Sequence, residues 1–247
     1  MGLGAFSLAL IAAGGFLAAM VVGSAGFAFA IIVTGVWIYV LPPAHIVFLA
    51  AVCATLLHIA SIWRFRREIE FGLLWPFVIG GALGVPLGVL ALQRLDGSLF
   101  RHVFGAFMIA YSCYMLWRPQ LPVVRLSPGR ARIADGIVGW VSGILGGFAM
   151  LHGTLPTIWC GLRGWGKERS RCVYQPFILF SGILVMLCVG FNIDFDKTQL
   201  LLPLAAGLPA MALGLWAGMR IFTVISEERF RRLVLWLILA SGISLQF

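Results

Sequence analysis

Apolar residues run along this chain in blocks, and polar residues gather in the gaps between them. Six clear blocks stand at 44–63, 71–92, 98–117, 172–191, 198–222 and about 231–246. Each is close to the ~20 residues that a helix needs to cross the hydrocarbon core of a bilayer. Two further regions are apolar but rich in breakers: residues 3–41 hold GSAG in their middle, and residues 136–162 contain GWVSGILGGFAMLHGTLPTIW. A backbone group left unpaired in lipid finds no water, so such a stretch is costly at that depth. Each region is therefore read as two arms around a break. In the second region the break is expected at Gly143, Gly146 and Gly147, with Gly153 and Pro156 close behind. As helix, 136–162 would be only about 40 Å long at ~1.5 Å per residue, too short for two ~30 Å crossings. Either the arms are short and re-entrant, or one begins upstream among Ala131 to Asp135.

Composition agrees with this pattern. Only 11% of the residues are charged and mean hydropathy is +1.01, whereas soluble domains are about a quarter charged. The expected fold class is an all-α polytopic membrane protein of 8–10 transmembrane or re-entrant helices. No charged residue precedes Arg64, and the start MGLGAFSLAL lacks the basic region of a signal peptide. Phe6 stands where a myristoylation signal wants Ser or Thr, so the first block reads as a retained span. The net charge of +9 is a matter of topology, because no soluble domain is long enough to offer nucleic acid a basic face.

The basic residues fall in four clusters: Arg64/Arg66/Arg67, Arg118/Arg125/Arg130/Arg132, Arg163/Lys167/Arg169/Arg171 and Arg220/Arg229/Arg231/Arg232. If each broken region returns to the side it left, all four share the cytoplasmic side and only Arg94, Arg101 and Lys197 lie outside. That arrangement obeys the positive-inside rule and sets both termini in the periplasm. A single crossing by each region would erase the bias.

The two halves echo one another. ALGVPLG at 82–88 matches ALGLWAG at 212–218, Phe100-Arg101 matches Phe230-Arg231, and Gly26-Phe27-Ala28 matches Gly147-Phe148-Ala149, with Gly15 against Gly136. The expected organisation is a first transmembrane repeat at 1–117, a cytoplasmic linker at 118–134 and a second repeat at 135–247, each repeat with about five elements and opposite topology. Gly84/Gly88 and Gly214/Gly218 are expected to bring helices close. Trp37, Trp75, Trp117, Trp159 and Trp236 read as interface anchors.

Chemistry narrows the function. His45, His58, His102 and His152 form no ligand pair, and the five cysteines are scattered with no CxxC, so neither a metal centre nor a cofactor is expected. GWVSG at 139–143 is one residue too long for a serine nucleophile motif. The protein is not expected to be an enzyme. All nine acidic residues read as lying in loops or at span edges, which argues against a carboxylate-lined cation path. What the interior offers is Ser24, Thr34, Thr55, His58, His152, Thr154 and Thr157 plus backbone at glycines. Such donors, with the positive ends of interrupted helices, suit an anion. Blander roles stand beside this one: His152 could bond a carbonyl, and Thr154 and Ser24 could bond their own helices.

At these residues the chain resembles the TauE/SafE sulfite exporter family. The resemblance rests on GSAGFAFA at 23–30, LPPAHIVFLAAVCAT at 41–55, FVIGGALGVPLGVLAL at 77–92 and GILGGFAMLHGTLP at 143–156. It implies export of sulfite or organosulfonates, such as sulfoacetate or taurine-derived products, across a bacterial inner membrane. Ala25, Phe27 and Phe148 depart from the family's glycines, and Thr34-Gly35 replaces its proline. The substrate site expected from residues and resemblance together comprises Gly23, Ser24, Gly26, Phe27, Gly143, Gly146, Gly147, Phe148, His152, Thr154 and Pro156. Backbone N–H groups and the side chains of Ser24, His152 and Thr154 would hold the anion between the two broken elements, Phe27 and Phe148 would wall it, and access would alternate about the repeat interface. His58 and His152 are the candidates for proton coupling. Expected partners are the bilayer, the small anion and, among protein partners, a second copy in a homodimer. An anion channel and a non-transporting membrane subunit are the alternatives.

Overall fold

The computed structural model describes residues 4–247 apart from 26–28, 66–68, 118–122, 195 and 222–226, and leaves aside the side chains of 22–25, 60–65, 167, 197, 219, 221 and 227–231. The described residues form ten α-helices: α1 Ala5–Ala25, α2 Phe29–Trp37, α3 Pro43–Phe65, α4 Phe71–Arg94, α5 Gly97–Trp117, α6 Pro128–Ala149, α7 Thr154–Leu162, α8 Lys167–Asn192, α9 Leu201–Ile221 and α10 Glu227–Ser244. Short 3-10 turns at Leu151–Gly153 and Lys197–Leu200 precede α7 and α9. Among the described residues, Phe71–Arg94, Gly97–Trp117, Glu168–Asn192 and Thr198–Gly218 are helices long and apolar enough to cross a membrane, and Ala5–Val21, Pro43–Ile59 and Arg232–Ser244 are shorter apolar helices. The chain is thus an all-α polytopic membrane protein.

The helices pack as two compact units, one of Met1–Leu49, Leu95–Pro119 and Phe195–Phe247, the other of Ala50–Arg94 and Gln120–Asp194. Each unit draws helices from both halves of the sequence, so packing and chain order divide the molecule differently.

In the second unit α4 lies against α6 at backbone contact. A Cβ on Gly84 would fall on the Trp140 carbonyl, and one on Gly88 would fall on the Ile144 carbonyl. From the other side, a Cβ on Gly143 would sit 2.5 Å from the Gly81 carbonyl oxygen, and Gly139 and Gly147 meet the carbonyls of Phe77 and Val85. Lipid tails are as apolar as leucine, so membrane helices gain little from burial and associate by this kind of close van der Waals fit. Such closeness is open only to residues without a side chain. Helix α8 closes the unit: Phe177 packs over Gly81 and meets Phe77 edge-on, with ring centroids 6.1 Å apart.

In the first unit α1 and α9 make the same contact. Gly214 meets the Phe16 carbonyl and Gly218 the Met20 carbonyl. The packing role expected for Gly84, Gly88, Gly214 and Gly218 therefore holds. Trp37 is fully buried and its indole N–H donates to the Ile11 carbonyl at 3.1 Å. It is a core residue and not an interface anchor, whereas Trp75, Trp117 and Trp236 are exposed as anchors would be.

Candidate functional site

The glycines of GILGGFAM do not break the helix. Gly143, Gly146 and Gly147 lie inside α6, and the break comes after them, at Met150. Met150 takes a left-handed backbone (φ 61°, ψ 18°) and its N–H bonds the Gly146 carbonyl at 2.8 Å. The expectation that these glycines interrupt the helix is thus corrected. Gly143 and Gly147 are spent on α4, and their N–H groups belong to a continuing helix. The short apolar run is accounted for by the bounds of its helices: α6 starts at Pro128, a little upstream of the expected Ala131 to Asp135, and α7 has only nine residues.

After the break the chain turns back. Asp135, on α6, accepts the Trp159 indole N–H at 2.6 Å and an Arg163 guanidinium N–H at 3.0 Å, both on Oδ1. The end of α7 has therefore returned to the first third of α6, as the charge pattern predicts for this region. Arg163 also stacks on the Trp165 ring at 5.1 Å. Asp135 is buried, not set in a loop or at an exposed edge, and Trp159 serves it as a donor. Sequence reasoning missed this cluster. Its one visible signal is a lone acid eight residues into an apolar helix.

The turn carries His152 into the interior of the unit. Its side chain folds over Gly146, where a Cβ would lie 2.7 Å from the His152 Cβ and 3.2 Å from Nδ1. Here glycine makes room for an imidazole instead of for a helix. The ring donates a hydrogen bond to the backbone carbonyl of Ile178 on α8 and lies within electrostatic reach of His58 on α3. A Cβ on Gly182 of α8 would sit 3.2 Å from Thr55 Oγ1 and 3.9 Å from His152 Nε2. Thr55 and His58 are one turn apart on the same face of α3. The space above Gly182 is thus shared by a threonine hydroxyl and an imidazole.

His152 is 2% exposed and Thr55 8%, and His152 Nδ1 and Thr55 Oγ1 have no hydrogen-bond partner within the described protein. Gln175 Oε1 is in the same condition, on the face of α8 that also carries Ile178 and Gly182. A buried polar atom left unpaired costs about 1–3 kcal/mol, and Ser181 Oγ is a fourth such atom in this unit. Thr154 is buried at the start of α7, and Pro156 is buried in its first turn. Thr157 satisfies itself, donating to the Gly153 carbonyl at 2.7 Å. Phe148 is buried with its backbone N against Gly88.

The structure thus brings His152, His58 and Thr154 into one unit, and adds Thr55 and Gln175. Gly26 and Phe27 lie outside the described residues, as do the side-chain environments of Gly23 and Ser24. Gln175 was within reach of sequence reasoning, as the one amide inside the apolar block 172–191. Among the described residues no group of three or more His, Cys, Asp or Glu could hold a metal ion.

The described residues thus define a polytopic helical membrane protein with a broken helix and uncharged polar groups buried near the break. The particular family follows from comparison: residues 11–245 match the family described as Sulfite exporter TauE/SafE, and the chain belongs to that family. Membership makes it a membrane transporter, with small sulfur-containing anions as the substrate class the family suggests. No curated protein and no solved structure matched the chain in the corresponding searches.

Proposed function

We propose that the protein exports sulfite or an organosulfonate by alternating access, holding the anion at the turn between α6 and α7. The observation that carries this reading is the convergence of buried Thr55 Oγ1, which lacks a protein partner, and His152 Nε2 above Gly182, with His152 Nδ1 unpartnered on the Gly146 side of the ring. Sulfonate oxygens are acceptors only; the Thr55 hydroxyl can donate to them, and the His152 ring N–H, which already bonds the Ile178 backbone, can do so by sharing that donor. The N-terminal end of α7 adds partial positive charge beside Thr154. The same proposal gives Gly23, Ser24, Gly26 and Phe27 the equivalent role at the end of α1, and makes His58 and His152 the route for any coupled proton. It sets the protein in a bacterial inner membrane with both termini periplasmic.

Two regularities support an inverted duplication behind this mechanism. Element lengths run 21, 9, 23, 24 and 21 residues in α1 to α5, and 22, 9, 26, 21 and 18 in α6 to α10. The contacts of Gly84 and Gly88 with Trp140 and Ile144 recur as those of Gly214 and Gly218 with Phe16 and Met20. This packing aligns Gly15 with Gly139 and Gly23 with Gly147, three residues away from the register suggested by the glycine-phenylalanine match.

The test is flux into proteoliposomes of sulfite, sulfoacetate, taurine and sulfate. The expected result is saturable sulfite or sulfonate flux that His152→Ala lowers at least about tenfold, the scale of one lost hydrogen bond to a charged acceptor. Absence of flux for every sulfur anion would sink the export reading. Unaltered flux in the variant would move the site elsewhere.

A further inference from the structure

Resting on the export reading, we infer that the transported species is a monoanion: hydrogensulfite or a singly charged sulfonate, and neither the sulfite dianion nor sulfate. The inference starts from where charge is missing. No Lys, Arg, Asp or Glu occurs before Arg64, between Glu70 and Arg94, between Arg101 and Arg118, between Asp135 and Arg163, between Arg171 and Asp194, between Lys197 and Arg220, or after Arg232. The middle of every helix is therefore free of ionised side chains, whichever residues line the path.

The described site agrees with the sequence. The elements packed against the 151–153 turn are α6, α7 and α8. Their charged residues lie at their far ends: Arg130, Arg132 and Asp135 on α6, Arg163 just beyond α7, and Lys167, Glu168, Arg169 and Arg171 on α8. Arg163 and Asp135 are already paired with each other. Glu70 holds Arg169 through two bonds of 2.9 and 3.0 Å. The titratable group within electrostatic reach of His152 is His58. What faces the space above Gly182 is a hydroxyl and an imidazole.

Magnitude decides what such a site accepts. The cost of moving an ion out of water grows with the square of its charge, so a dianion costs about four times as much as a monoanion of similar size. Neutral donors return about 1.5–3 kcal/mol each as hydrogen bonds to a charged group. A few of them can offset one charge, but two charges would need several times as many donors or a buried cation, and this site has no such cation among the described residues. Sulfite offers both forms because hydrogensulfite loses its proton near neutral pH. A simple sulfonate keeps one charge throughout. The inference also divides candidate organosulfonates: 2-hydroxyethanesulfonate, with one charge, is favoured over sulfoacetate, which carries a carboxylate as well.

The experiment measures uptake by proteoliposomes, corrected with protein-free vesicles, from about pH 6 to about pH 8 at constant total anion. The test anions are sulfite, 2-hydroxyethanesulfonate, sulfoacetate and sulfate. The expected result is 2-hydroxyethanesulfonate flux that varies less than about twofold, and sulfite flux that falls up to about tenfold per pH unit on the alkaline side, following hydrogensulfite. Sulfoacetate and sulfate should move at least about tenfold more slowly. Sulfite flux that rises with pH, or sulfate moving as fast as the sulfonate, would overturn the inference while leaving export intact. A parallel fall for sulfite and 2-hydroxyethanesulfonate would also overturn it, since it would trace to the histidines and not to the charge of the substrate. No flux for any of them would remove the export reading as well. In a second arm, Gln175→Leu deletes a buried, unpartnered amide oxygen, which can accept only from the hydroxyl of 2-hydroxyethanesulfonate, and should leave the thermal midpoint unchanged or raised while lowering flux of that anion severalfold. Unchanged flux in that variant would take Gln175 out of the site.

Discussion

Met150 holds a left-handed backbone that costs a residue with a Cβ roughly 1–2 kcal/mol, yet it is 2% exposed and anchors the turn by its side chain. Two effects of substitution oppose one another. Glycine would relieve the backbone but empty the side-chain pocket, and truncating a buried methionine costs about 2–5 kcal/mol. Packing wins, so Met150→Gly should lower the thermal midpoint of the detergent-solubilised protein. Met150→Ala loses nearly the same packing and keeps the strain. It should therefore be worse than glycine by about 1 kcal/mol, the reverse of their order in an ordinary helix. Asp196 gives a second check at this scale. Its carboxylate caps the 197–200 turn by accepting from the Thr198 N–H at 3.0 Å and from the Thr198 hydroxyl, and these bonds hold its pKa below the ordinary carboxylate value. A depressed pKa contributes stability that is present above the unfolded value and lost as pH falls through the folded one. Amide exchange at the start of α9 should therefore accelerate at acid pH in the wild type, and should lose that pH dependence in Asp196→Asn.

At the scale of elements, the return of α7 is held by one carboxylate. Removing it in Asp135→Ala would leave the Arg163 guanidinium, which is 14% exposed, without its partner. About 3 kcal/mol is the expected loss, read as a lower thermal midpoint and as faster exchange throughout α7. Arg163→Gln should be milder, because the Trp159 donor stays on Asp135. This clasp was not legible in the sequence, since its members are 24 and 28 residues apart and nothing local pairs them. The long helices were legible, because lipid demands a continuous apolar run and charges mark where it ends. The apolar block 71–92 became α4 at Phe71–Arg94, and 98–117 became α5 at Gly97–Trp117. The break was placed a few residues early for a physical reason. Glycine serves both as a hole for a neighbouring helix and as an interruption, and only the presence of α4 beside Gly143 and Gly147 tells which. His152, named from sequence, does lie buried at the turn, while Thr55 and Gln175 needed the packing to single them out.

For the whole molecule, each compact unit is cemented by one glycine-lined pair, α4 with α6 or α1 with α9. Pairs joined backbone to backbone resist internal sliding, because interiors packed this closely have discrete arrangements and not continuous ones. A carrier built on such blocks should show trans-stimulation: unlabelled sulfite inside proteoliposomes should accelerate entry of labelled sulfite severalfold. An open channel would show no such acceleration, and that result would retire alternating access without touching the identity of the anion.

The brevity of α7 also bears on how the chain is made. Nine residues extend about 14 Å as helix, half the thickness of a bilayer core, so the insertion machinery cannot release this segment into lipid as a span of its own. It settles against α6 and later α8, and its end places Trp159 and Arg163 on Asp135 of α6. The fold-back is thus completed only as α6 and α8 come to flank it, with His152 set over Gly182.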